Sequence, residues 1–232
     1  LTHALYLQAV CEARRDNAEA RDRALRLVDK CIALDPSCAD AFVLRGHLCL
    51  SMGNRSEAKS AYWRTFELCP NHPHVQGFLA QLQKEATKLY EAAFACVFKH
   101  EHDRALDCLA EALDAAPKHP QALLLQACLR RRLGRFESAL GDLEYCSSFC
   151  RADLRPQVLR QIALTYHSMS KAFFEIGQFQ NALTAASEAL TYDVSDHAMF
   201  VSRGDAYLEL ADFEAAVHDF RSALALMGRV KA

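Results

Sequence analysis

The residues most able to do chemistry come in short clusters. His72 and His74, and again His100 and His102, are separated by one residue. Imidazoles at that spacing suggest a metal site, but positions two apart on a helix do not share a face, and no Cys or carboxylate set completes four ligands. Both pairs are expected to be solvated residues at turns. Ten cysteines include no C-x-x-C pair. Cys146 and Cys150 stand four apart, on one helix face, the one spacing that suggests a redox pair. Cys31, Cys49, Cys96, Cys108, Cys128 and Cys146 fall at apolar positions of helical patterns, where a thiol acts as a small hydrophobe, and this placement points to a reducing, cytoplasmic compartment. Arg130, Arg131 and Arg132 with Arg135 form the densest basic patch, suited to an acidic surface. Catalytic signatures are missing: no G-x-x-x-x-G-K-S/T, no G-x-G-x-x-G, no H-E-x-x-H and no G-x-S-x-G. The expectation is a non-catalytic chain with no catalytic residue, no metal and no cofactor.

The elements that must carry these residues are helices. Apolar residues make up 51% of 232, with only 8 Gly and 6 Pro, which favours long helices over turn-rich β structure. Net charge is −2, from 27 basic and 29 acidic residues, so no global attraction to nucleic acid or to an anionic membrane is expected. No apolar run approaches the ~18 residues of a membrane span. The chain opens Leu1-Thr2-His3, neither an initiator Met nor a secretory signal, and is expected to be a segment of a longer protein in a larger complex.

The stretch 39–72 sets the plan. Two apolar-periodic segments flank a polar break at Gly53-Asn54, and Pro70 closes the unit; this is the helix–turn–helix period of about 34 residues. Similar units run 86–119, 120–153, 163–196 and 197–230, and a divergent one fills 1–38, with a charged connection from Arg14 to Arg23 about three residues too long. The residues left over, 73–85 and 154–162, lengthen the first helices of alternate units, which should protrude at one edge. The expectation is an all-α solenoid of about six repeats, a right-handed superhelix forming one domain over 1–232. The last unit ends without a polar capping helix, so its apolar flank should be covered by further repeats or a partner.

Small residues recur at one place in each first helix (Gly46, Ala93, Ala127, Ser170, Gly204) and, twelve residues on, in each second helix (Ala58, Ala105, Ala139, Ala182, Ala216). They are expected to define where paired helices touch. Larger residues, among them Tyr62, Leu109, Leu143 and Phe220, should fill the gaps.

These segments, with LGRFESAL, IGQFQNALTAASEAL and SRGDAYLELADFEAAVHDF, resemble the tetratricopeptide repeat family over nearly the whole chain. The placement of both helix extensions, with Pro70-Asn71-His72-Pro73 and Lys118-His119-Pro120-Gln121, resembles one vertebrate branch of that family. That resemblance implies a protein of the cilium or sperm flagellum, a scaffold in the axoneme with tubulin or axonemal proteins as partners. A cytosolic adaptor binding peptide segments of chaperone or transport partners is the alternative. The family's groove-facing places fall on Asp40, Val43, His47 and Leu50, on Tyr90, Phe94, Val97 and Phe98, on Leu124, Cys128, Arg131 and Arg132, on His167, Lys171 and Phe174, and on Val201, Asp205 and Leu208. The aromatic set recurs every fourth residue, and either binds a partner or packs on a neighbouring repeat. At the places where chaperone-tail binders carry asparagine stand Leu44, Glu91, Leu125, Ser168 and Ser202, which argues against that ligand.

Overall fold

The computed structural model describes residues 2–15 and 17–230. Leu1, the expected start of the first repeat, and Asp16, within the expected connection, lie outside them. Twelve helices follow in order: α1 Thr2–Ala13, α2 Ala18–Leu34, α3 Ala39–Ser51, α4 Arg55–Leu68, α5 Pro73–Phe98, α6 His102–Ala115, α7 Pro120–Arg132, α8 Phe136–Phe149, α9 Arg155–Glu175, α10 Phe179–Tyr192, α11 His197–Glu209 and α12 Phe213–Val230. No strand occurs among the described residues. The chain divides into two compact units, Leu1–Glu85 and Ala86–Ala232, with the boundary inside α5.

The turns between paired helices share one backbone solution. Gly53, His100, Gly134, Gly177 and Ala211 all have positive φ, between 60° and 80°, and each is the fifteenth residue of its expected repeat. At each, the next amide reaches back to close the helix end: Asn54 N–H donates to Cys49 O at 2.8 Å, Glu101 to Cys96 at 3.0 Å, Arg135 to Arg130 at 2.8 Å, Gln178 to Phe173 at 2.9 Å and Asp212 to Tyr207 at 2.9 Å. A left-handed residue with this six-residue closure ends a helix without leaving its last carbonyls unpaired. Glycine accepts that conformation freely, whereas His100 and Ala211 adopt it against a steric cost.

The first connection differs from the sequence expectation. Arg14 to Arg23 is not a long loop: α2 already begins at Ala18, capped by Asn17, whose Oδ1 accepts from Ala20 N–H at 2.7 Å. The surplus is absorbed as helix, since α2 has 17 residues against 14 in α4, α6, α8 and α10. An Asx cap costs less than a charged loop that satisfies none of its own amides.

Packing between paired helices is set by volume. The atoms nearest to a β-carbon on Gly46 would be those of the Tyr62 ring, at 2.5–2.9 Å, and Gly204 faces the Phe220 ring at 2.8–3.2 Å. The side chain sixteen residues on thus lies nearest the glycine, while the residue twelve on shares the same contact: Ala93 with Ala105 and Ala127 with Ala139 share cores. Where the first helix carries alanine, at Ala93 and Ala127, the same place opposite holds Leu109 and Leu143 in shared cores. At Ser170 it holds only Ala186, and the Ser170 hydroxyl donates to Ala182 O at 2.8 Å. Ala58, Ala105, Ala139, Ala182 and Ala216 are all fully buried.

The two long first helices use their extra turns for burial. In the first unit, Val75, Leu79 and Leu82 of α5 pack on Val43, Cys49, Ala58 and Tyr62. In the second, Val158 and Ile162 of α9 pack on Leu123, Leu124, Leu143 and Cys146. These extensions are therefore seated on the preceding hairpin rather than protruding, because their apolar stripe continues at i, i+4, i+7 spacing.

Candidate functional site

In the second unit, α9 packs on α7 and on α11, so three first helices share one face. Spacing of four along α9 puts His167 and Lys171 on one face of that helix. From α7, Arg131 reaches across, its Nη2 donating to Gln161 Oε1 of α9 at 3.4 Å, and Cys128 Sγ lies 3.2 Å from the same oxygen. His167 is only 8% exposed, and both its Nδ1 and Arg131 Nε are buried without a hydrogen-bond partner. Burial, then the charges of Lys171 and Arg131, push the His167 imidazole below its ordinary value, against an upward pull from Asp196. Asp196 is itself engaged as the cap of α11, accepting from Ala198 N–H at 3.0 Å. Beside Lys171 a cavity of about 300 Å³ is lined by Ser170, Phe174, Glu175, Ser202 and Asp205. Burial raises the Asp205 carboxyl above its usual range.

The basic run separates into different roles. Arg130 is neutralised by Asp142, with Nη1 at 2.7 and 2.6 Å from the two carboxylate oxygens. Arg131 is half-buried, and Arg132 and Arg135 are exposed. Arg135 lines a second cavity of about 450 Å³ with Phe136, Met169, Phe173 and Ile176. Arg130 therefore belongs to the fold, as do Arg45 with Asp29 and Glu57 and Arg203 with Asp219.

The aromatic set also divides. Tyr90 packs beside the His119 ring, centroids 5.7 Å apart. Phe94 and Phe98 are 45% and 73% exposed and meet edge to face at 5.0 Å. Leu124, expected on the open face, is 8% exposed within the core that the α9 extension covers. Val43 is likewise buried. Of the expected site residues, Phe94, Phe98, Arg132 and Lys171 are exposed, Arg131 is half-buried and His167 is buried.

Sequence reasoning placed the histidine pairs among solvated turns; in the first unit His74 is exposed as expected, while His72 is largely covered. His72 Nε2 lies 3.1 Å from Asp40 Oδ1, its Nδ1 is buried without a partner, and its ring stands 5.8 Å from that of His74. His74 in turn stands 6.3 Å from His47, whose Nδ1 is 3.2 Å from the Tyr62 hydroxyl. The H-x-H spacing was the visible signal; what it lacked was His47, supplied by another helix. Among the described residues no group of three or more His, Cys, Asp or Glu is arranged to hold a metal ion. Cys146 and Cys150 are free thiols, and burial pushes Cys146 up to about 11, the reverse of what a reactive thiolate needs. No helix of the described residues is long and apolar enough to cross a membrane.

Comparison with known proteins gives the same repeat. Two family models described as "Tetratricopeptide repeat" match, one over residues 97–145 and 168–227 and the other over 39–72, together more than half of the chain. Among curated proteins, Tetratricopeptide repeat protein 16 of Mus musculus is 25% identical over 208 residues, covering 87% of this chain and 27% of that protein. The Homo sapiens protein of that name is 23% identical over 205 residues, covering 87% and 24%. The chain thus spans about a quarter of the length of the curated relatives it matches. Among solved structures, MamA from Desulfovibrio magneticus RS-1 aligns with a TM-score of 0.47 at 17% identity, over 84% of this chain and 97% of that one.

Proposed function

Because the chain belongs to the tetratricopeptide repeat family, we propose that it is a non-catalytic protein-binding scaffold, built into a ciliary or flagellar axonemal assembly. The observation that carries the scaffold reading is the first-helix face of the second unit. Phe94 and Phe98 stand exposed there, and Lys171 and Arg132 form no ion pair among the described residues. Exposed aromatic and cationic side chains held on rigid helices are what protein interfaces use as anchors. The axonemal part of the proposal is supported by the placement of the two helix extensions, which resembles the vertebrate branch whose members are cilium- and flagellum-associated. Tubulin or an axonemal protein is the partner that reading names.

A second reading is an adaptor for soluble peptide segments. The cavity beside Lys171 favours it, being large enough for one side chain of an extended ligand. Fractionation of ciliated cells separates the two. The axonemal reading expects the protein to stay with salt-washed axonemes, and proximity labelling to mark tubulin or axonemal proteins. Full release with the detergent-soluble fraction, and labelling of chaperone or transport proteins, would establish the adaptor instead.

A further inference from the structure

We infer that the surface formed by α8, α9 and α10 docks a basic, arginine-bearing segment of a second partner protein, with the guanidinium lying on the Tyr166–Tyr192 ring pair and its N–H groups donating to Glu144 and Glu188. This rests on the scaffold reading above and adds a second partner, held on a different surface from the first.

Charge is divided between the two kinds of helix in the second unit. α8 and α10 contain no Lys, Arg or His, while α7 and α9 between them carry Arg130, Arg131, Arg132, Arg155, Arg160 and Lys171. Acids that belong to the fold are marked by their arginines: Glu57 pairs with Arg45, Asp142 with Arg130 and Asp219 with Arg203, at 2.6–3.0 Å. Glu144 and Glu188 differ. Both are exposed, and neither carboxylate forms an ion pair among the described residues. A bare carboxylate on a helix is ordinary, but these two act on one aromatic pair.

α9 packs on both α8 and α10. Its Tyr166 ring stacks on that of Tyr192, at the end of α10, with centroids 6.0 Å apart and planes 13° from parallel. Tyr192 is 38% exposed, so the pair reaches the surface. Glu188 precedes Tyr192 by one turn and shares its face of α10. Burial first, then Tyr192, Glu188 and Glu144, raises the Tyr166 hydroxyl above its ordinary value, so carboxylates from α8 and α10 both act on this one ring. An arginine suits the arrangement better than a lysine. Its planar guanidinium stacks on an aromatic face while its edge donates to carboxylates, and it sheds water more readily than an ammonium. The two acids repel an anionic ligand. The surface is separate from the first-helix face, because on α9 Tyr166 and Lys171 point about 140° apart round the helix. Arg155, the cation on the Tyr166 side of α9, stands about 16 Å away along the helix and does not neutralise the acids.

The test uses the whole chain and fluorescein-labelled oligoarginine, read by anisotropy at low salt, with oligolysine of equal length beside it. Oligoarginine is expected to bind more tightly than oligolysine. Glu144→Gln with Glu188→Gln should weaken oligoarginine binding about fivefold or more, while Glu209→Gln with Glu214→Gln, which removes two exposed carboxylates from α11 and α12, changes it less than about twofold. Tyr192→Ala should bring oligoarginine down to the level of oligolysine, and Tyr192→Phe should keep the preference, since the ring rather than the hydroxyl receives the cation. Circular dichroism melting confirms that each variant is folded, and the exposed glutamates keep the test valid if Tyr192→Ala is not. Equal weakening by the Glu209 and Glu214 changes would reduce the effect to general charge and overturn the site, as would an arginine preference that survives Tyr192→Ala. Sedimentation of the unlabelled chain checks the other occupant: self-association lost with Glu144 and Glu188 would give the surface to a second copy and overturn the second partner. Absence of oligoarginine binding, with axonemal or adaptor partners still recovered by proximity labelling, overturns this surface and leaves the scaffold standing; loss of both removes the scaffold as well.

Discussion

At the scale of single residues, the fold turns on how much volume two facing positions share. Gly46 lies under the Tyr62 ring, which is buried, packs 4.7 Å from the Phe78 ring and lies within hydrogen-bond distance of His47 through its hydroxyl. That ring has nowhere to go, so Gly46→Ala should lower stability by about 1–3 kcal/mol. Gly204 faces Phe220, which is only half-buried, and Gly204→Ala should cost less. The penalty of Gly46→Ala should largely vanish in a Tyr62→Leu background, where the pair matches Ala93 with Leu109. A double-mutant cycle by urea unfolding checks this, and an unchanged penalty would show that the two residues do not set each other's size. The small positions were visible in the sequence as a periodic pattern. The ring that fills the space over each glycine was not singled out as its partner, because spacing names a face of a helix while the side chain's reach decides which residue it meets.

At the scale of elements, five helix ends adopt a left-handed residue at the same repeat position, and two of them, His100 and Ala211, are not glycine. Ala211→Gly and His100→Gly should each raise stability by about 1 kcal/mol, measured as an upward shift of the thermal midpoint. A fall in midpoint at both would mean that side-chain contacts hold these turns instead. Gly53, Gly134 and Gly177 announced their turns in the sequence, whereas Ala211 did not, since alanine ordinarily reads as helix. The extended first helices were legible from register arithmetic and proline placement: α5 has 26 residues and α9 has 21, against 13 in α3, α7 and α11. What their extra turns do was not legible. Val75, Leu79 and Leu82 match any amphipathic stripe, and only the fold shows which hairpin they cover. The same burial accounts for Leu124, which motif position placed on the open face and the α9 extension closes over.

At the scale of the whole molecule, the charge balance of −2 hides an uneven distribution of protonation. Burial depresses His119 and His167, and desolvation with the neighbouring His74 and His72 depresses His47, all below the ordinary 6.5. His119 also spends its Nδ1 accepting from Ala122 N–H at 3.2 Å, which a proton would prevent. The folded chain therefore binds fewer protons than the unfolded one in this range. Stability is full above about pH 6.5 and declines as pH falls through the depressed values. Urea midpoints should drop between about pH 7.5 and pH 5.5, and a midpoint that rises would reverse the sign of the account. Partner recognition is the larger claim. The measurement that bears on it most directly is recovery of the native partner by proximity labelling in cells expressing Phe98→Ala with Lys171→Gln, set beside Tyr145→Ala on α8. The first variant should lose the partner while melting like the wild type, and the second should keep it. Retention by the first and loss by the second would place recognition on the second helices and contradict the account.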